Sequence, residues 1–228
     1  MDSSPQPLLT MKAIDKSFHG THALKAVDFE LRSSEVHVLL GENGAGKSTL
    51  VKIIAGIYQR DRGGITLRDE SVHISSPAEA QRQGIQMIHQ ELNLVEDLSV
   101  AENLFIGWKL LSKGGLIQWR ELRKKAGELL DSIEADIDPR AVVVTLSIAH
   151  RQMVEIARSL VHEPEILILD EPTATLTPNE AERLFALMER LRSGGVGLVF
   201  ISHRLEEIFR IGDRVTVLRD GELICTKK

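Results

Sequence analysis

The residues Gly41-Glu42-Asn43-Gly44-Ala45-Gly46-Lys47-Ser48-Thr49 carry the most specific chemistry in the chain. Gly41, four further residues and then Gly46-Lys47-Ser48 form the spacing of a loop that cradles a polyphosphate. Glycine lets backbone N–H groups turn toward an anion with no Cβ in the way, and a helix that follows aims the positive end of its dipole at the same point. Lys47 would neutralise β- and γ-phosphates, and Ser48 would offer its hydroxyl to the Mg²⁺ that bridges them. Thr49 and the backbone of Asn43, Gly44, Ala45 and Gly46 complete the cradle. A glycine-rich turn with a surface lysine is the competing reading. The flanks decide between them: an apolar strand-like run, Val36 to Leu40, comes before and a helix-like run, Leu50 to Ala55, comes after.

A second chemical cluster ends the apolar run Ile166-Leu167-Ile168-Leu169 with Asp170-Glu171. This is the form of a core strand delivering carboxylates at its carboxyl end, where open α/β sheets bind ligands. Adjacent residues on a strand point to opposite faces, so Asp170 is expected toward the Mg²⁺ shell and Glu171 elsewhere, toward a water that attacks a γ-phosphate. An ordinary solvated acidic turn is the alternative for such a pair taken alone.

The elements that must hold these groups follow from periodicity. Leu8–Ile14 and Val27–Leu31 read as early strands, with Val27, Phe29 and Leu31 facing inward and a loop at 16–20 between them. Ile65–Leu67 and Val72–Ile74 read as short strands of an antiparallel edge, followed by a helix from Pro77 to Gln83 and a strand from Ile85 to Ile88. Residues 99–135 turn helical, and Leu122, Ala126, Leu129, Leu130 and Ile133 share one face. Arg123-Lys124-Lys125 then lies on the solvated side beside Glu121 and Glu128, and Trp108 and Trp119 are expected to anchor this helical part. Beyond Ile148, helix and strand alternate to Leu218, which implies crossover units on a parallel sheet, and Asp220-Gly221 predicts a closing hairpin.

Bulk properties set the frame. The chain has 228 residues, 43% of them hydrophobic, enough for one large domain with a subdomain. A formal charge of −5 argues against partnership with nucleic acid through bulk phosphate attraction. Cys225, the single cysteine, excludes an intrachain disulfide framework and reads as an apolar filler in a late strand. Residues 1–7 read as a flexible tail rather than a secretory signal. No apolar run reaches the length of a membrane span, so any membrane role is expected to come through a partner.

Between these clusters, Leu146-Ser147-Ile148-Ala149-His150-Arg151-Gln152 resembles the signature motif of ABC-type ATPases, with Ser147 lying 23 residues before Asp170. Asp170-Glu171-Pro172-Thr173 resembles that family's magnesium-and-catalysis strand, Gln90 its Q-loop glutamine, and His203, in Ile201-Ser202-His203-Arg204, its switch histidine. The resemblance implies an α/β fold of the P-loop NTPase, ABC type: a mostly parallel core sheet with an antiparallel β subdomain and a helical subdomain at about 92–162, within one ATPase domain at 8–228. It implies ATP and Mg²⁺ as ligands, Glu171 as general base, Gln90 and Asp170 on the metal and the attacking water, and His203 on the γ-phosphate. Ser147 would serve a nucleotide held by an opposing domain. Phe18 falls where the family places an aromatic on adenine, and a core phenylalanine in an early loop is an equal reading.

Ile88 to Leu94, Val100 to Asn103 and Ile201 to Phe209 are similar to the amino-terminal ATPase domain of bacterial monosaccharide importers of the ribose, galactose and xylose type. That group implies import of a sugar through a separate permease, an external sugar-binding protein as an indirect partner, and a peripheral place on the cytoplasmic face of the inner membrane. It also implies a second ATPase domain, in the same polypeptide or as a homodimer. The commonest signature is Leu-Ser-Gly-Gly-Gln, and the Cβ atoms of Ile148, Ala149 and His150 narrow the approach to a phosphate. Thr177 stands where many relatives carry an acid. A soluble, non-transport ABC ATPase is the rival from another class, disfavoured by the acidic balance and the absence of a long coiled-coil insert. A kinase or GTPase sharing only the phosphate loop does not account for Ser147 and the paired acids.

Overall fold

In the computed structural model, which describes residues 7–89, 93–107, 112–113 and 116–228, the chain begins with a long hairpin. Strand β1 (Pro7–Phe18) pairs antiparallel with β2 (Thr21–Arg32) through a two-residue turn, His19-Gly20, both at positive φ. Leu24, Val27, Phe29 and Leu31 are buried, as the alternation predicts. The expected loop at 16–20 is instead paired strand as far as Phe18. Acidic side chains carry the pairing through its register shifts: Asp61 accepts from the Ser17 amide at 2.7 Å and from Lys16 Nζ at 2.8 Å, and Asp15 accepts from the Ala26 amide at 3.2 Å. Strands β3 (Val36–Leu40), β4 (Arg62–Leu67) and β5 (Glu70–Val72) follow, with helix α1 (Lys47–Ile54) between β3 and β4. The antiparallel sheet runs β2-β1-β4-β5.

The second sheet contains β6 (Ile85–Ile88), β9 (Ile166–Asp170), β10 (Gly197–Ile201), β11 (Arg214–Arg219) and β12 (Glu222–Lys227), in the order β12-β11-β3-β10-β9-β6. Every pair in it is parallel except β11 with β12. All five residues of β9 and of β10 are buried, which is why these strands read as continuous apolar runs. Period-two alternation divides them between two cores. Ile168, Val199 and Ile201 face Leu50, Ile54 and the antiparallel sheet. Leu167, Leu169, Leu198 and Phe200 face α5 (Ile148–Leu160), α6 (Pro178–Ser193) and α7 (Leu205–Ile211). Pro77–Arg82 forms α2, N-capped by Ser76.

The helical part adds α3 (Val100–Phe105), the short strands β7 (Ser112–Lys113) and β8 (Leu116–Ile117), and α4 (Trp119–Ser132). Ser99 and Glu102 form a capping box on α3, and fully buried Asn103 accepts from the Val95 amide at 2.7 Å. On α4, Leu122, Ala126 and Leu130 are buried, while Lys124–Glu128 and Lys125–Glu121 pair in solvent. Trp119 is 43% exposed, so it does not anchor this part as expected, and Trp108 lies outside the described residues. Cys225 is half-buried on the edge strand β12. Among the described residues no helix is long and apolar enough to cross a membrane.

Candidate active site

Register brings the chemistry together. Ile201 pairs with Leu39 on one side and with Asp170 on the other, so β3, β10 and β9 all end at one edge of the sheet. The glycine-rich loop, the acidic pair and His203 each leave the sheet from that edge, as expected for an open α/β ligand site.

The loop is held from behind. Gly46 is the N-cap of α1 at φ +103, and a Cβ there would stand 2.7 Å from the Ala23 carbonyl oxygen and 2.8 Å from Leu24 Cδ2. A Cβ on Gly41 would meet the Leu218 carbonyl oxygen at 2.3 Å. The Gly221 amide donates to the Ala45 carbonyl at 3.2 Å, and the Lys25 amide donates to the Gly221 carbonyl at 2.8 Å. Ala23, Leu218 and Gly221 thus shape the loop, and nothing in the loop's own motif points to them. Lys47 is 6% exposed, and its Nζ donates to the carbonyls of Gly41 at 2.6 Å and Glu42 at 3.0 Å.

A cavity of about 360 Å³ lies over the loop, lined by Ala23, residues 43–49, Asp170 and Glu171. Both acids face it, which corrects the expected division onto opposite faces. Strand β9 stops at Asp170, and Glu171 takes φ +49, so strand alternation no longer applies to it. The Glu171 amide donates to the Ile201 carbonyl at 3.1 Å. Burial raises the Asp170 carboxyl above its ordinary range and the neighbouring Glu171 raises it further, while Lys52, His89 and Lys47 pull it back. His203 Nδ1 stands 3.5 Å from Glu171 Oε1, with the imidazole 62% exposed at the rim.

Ser147 and Phe18 lie apart from this cavity's lining. Ser147 caps α5, accepting from the His150 amide at 3.2 Å, with Ile148 beside it 55% exposed. Phe18 packs edge-on against Tyr58 at 5.0 Å between centroids, with Lys16 Nζ over its ring at 5.1 Å. Gln90 lies outside the described residues. Thr177 is the N-cap of α6, and both its amide and its hydroxyl donate to Glu180 at 2.8 Å.

Residues 24–174 match the family model described as ABC transporter. The chain belongs to the ABC transporter family. Membership makes this ABC cassette a nucleotide-binding domain. It is 52% identical over 221 residues to the ribose import ATP-binding protein RbsA 2 of Rubrobacter xylanophilus, covering 96% of this chain and 43% of that protein. It is 47% identical to the ribose import ATP-binding protein RbsA of Geobacillus kaustophilus, covering 97% of this chain and 45% of that protein. The cassette therefore spans less than half the length of these relatives. Its fold superposes at a TM-score of 0.82 on a dimeric, post-hydrolysis ATP-binding cassette bound to ADP and phosphate, at 26% identity over 96% of this chain and 98% of that one.

Proposed function

We propose that this cassette binds MgATP and hydrolyses it face to face with a second ATPase domain, powering import of a monosaccharide through a separate membrane permease. The observation that carries the reading is the single cavity shared by the phosphate loop, Asp170 and Glu171. Residues 8–228 act as one ATPase domain, with 92–162 as its helical subdomain. Lys47, Ser48, Thr49 and the backbone of residues 43–46 hold the phosphates, helped by the amide groups that open α1. The donor set fits Mg²⁺: the Ser48 hydroxyl and the Asp170 carboxylate are hard oxygens, and a buried acid pushed toward its neutral form by a second acid gains from a cation. Magnesium, when bound, supplies charge neutralisation on the β- and γ-phosphates. Gln90 would join Ser48 and Asp170 as a ligand and orient the attacking water.

Glu171 accepts the proton of that water, and His203, at the same rim, stabilises charge that develops on the γ-phosphate. Ser147 opens the signature helix toward the nucleotide of the second domain, which is either part of the same polypeptide or another copy of this chain. The dimeric cassette supports this pairing. The sugar-import names of the relatives support the transport role, in which the cassette sits peripherally on the cytoplasmic face of the inner membrane and an external binding protein delivers the sugar. Phe18 keeps two readings, an adenine platform or packing for Tyr58.

The test is Glu171→Gln. Turnover should fall by about 10²–10⁴-fold while MgATP still binds, and the variant should collect as an ATP-dependent dimer in gel filtration. Turnover equal to that of the unmodified chain would overturn the assignment of the base. Co-purification with a polytopic membrane protein supports transport, and co-sedimentation with ribosomes would favour the soluble rival.

A further inference from the structure

The geometry points to Glu207 as a positioning residue that clamps the Glu171 loop to the His203 loop. This rests on the reading above of Glu171 and His203 as the hydrolytic pair. Glu207 is only 6% exposed, on the inner face of α7 beside Ile208 and Ile211. Its Oε2 accepts from the Thr173 hydroxyl at 2.9 Å and from the Ser202 hydroxyl at 2.5 Å, and its Oε1 faces Arg204 Nη1 at 3.3 Å. Thr173 lies two residues after Glu171, whereas Ser202 and Arg204 flank His203. One carboxylate thus joins two loops that leave the sheet from adjacent strands.

The join is tight on both sides. Thr173 and Ser202 are each 3% exposed, and the Ser202 oxygen also accepts from the Arg204 amide at 3.1 Å, which closes the backbone around His203. The Leu176 amide donates to the Thr173 carbonyl at 3.1 Å, which fixes the other loop. A buried carboxylate costs solvation, and here three donors compensate it. An apolar side chain would fill the same space without that cost, but it would carry no directional link between the loops. The link sets the 3.5 Å spacing of Glu171 Oε1 and His203 Nδ1. Small displacements of catalytic groups are expensive in rate, while nucleotide binding depends on the phosphate loop at a different strand end.

Two measurements test the clamp. Glu207→Ala should lower kcat at least about tenfold with the Kd for MgATP unchanged within about twofold. Glu207→Gln, whose amide oxygen can still accept from Thr173 and Ser202, should retain most of kcat. In a His203→Ala background, Glu207→Ala should cost no more than about twofold. A full, additive loss in that background, or a loss of MgATP affinity and Tm that accounts for the rate, overturns the proposal. The second measurement needs no turnover. In NMR spectra of the nucleotide-free chain, Glu171→Gln should move the His203 imidazole signal, and it should cease to do so once Glu207 is alanine. A shift that persists in Glu207→Ala, or that never occurs in the native chain, overturns the clamp. Absence of ATPase activity in the native chain, with the NMR result as expected, would remove the hydrolytic reading and leave the clamp standing.

Discussion

Substituting Lys47 with methionine separates what this side chain does for folding from what it does for the nucleotide. In the structure Nζ donates to two loop carbonyls, at 2.6 and 3.0 Å, from a residue that is 6% exposed. Hydrogen bonds from a charged donor are each worth about 1.5–3 kcal/mol net of desolvation, so removing both costs at most roughly 3–6 kcal/mol. Methionine keeps the packing of the aliphatic stem, which holds the loss toward the lower end of that range. Phosphate binding has no such compensation. A unit charge about 4 Å from a phosphate is worth roughly 4 kcal/mol at an effective dielectric constant near 20, or about a thousandfold in Kd. Urea denaturation and titration calorimetry with MgATP read the two numbers on the same sample. A folded Lys47→Met chain whose MgATP affinity stays within about threefold of the native value would refute the reasoning.

Three further substitutions probe the same cavity. The Asp170 carboxyl is raised by burial and by Glu171, so the folded chain holds that proton more tightly than the unfolded chain; stability from this site is present below the unfolded pKa and falls as pH rises through the folded one. Asp170→Asn should therefore raise the nucleotide-free Tm at about pH 7, gain little near pH 3, and abolish Mg²⁺-dependent turnover; an unchanged Tm at the higher pH counts against the raised carboxyl. Gly46→Ala meets both a left-handed φ of +103 and a 2.7 Å contact with the Ala23 carbonyl, so it should cost about 2–4 kcal/mol and lower Tm by roughly 5–15 °C in calorimetry. Gly44→Ala, at φ +83 with open space around it, should pay only the backbone strain and lose less.

The strand-and-helix order was legible because buried parallel strands and amphipathic helices write their periods directly into Ile166–Leu169, Leu198–Ile201 and Leu122–Ile133. The phosphate loop was legible for a different reason, since its residue types are tied to its chemistry. What escaped is set by non-local contacts. The segment 16–18 lacks a strand pattern and is paired because Asp61, 44 residues after Ser17, serves its backbone. Strand alternation placed Glu171 wrongly because the chain turns at that residue into a left-handed φ. Glu207 did leave a trace: an acid on the same helical face as Ile211, where solvent exposure would be out of place. Its partners Thr173 and Ser202 come from other elements, and periodicity within α7 holds no record of them.

The support behind the phosphate loop has a consequence for how the protein is made. Leu218 and Gly221 press on Gly41 and Ala45, although they are translated about 175 residues later. A nascent chain that has already exposed the whole glycine-rich motif still lacks the backing that holds it in shape. Competence to bind nucleotide should therefore appear late and abruptly during synthesis, when the β11–β12 turn clears the ribosome and docks, rather than when the motif itself emerges.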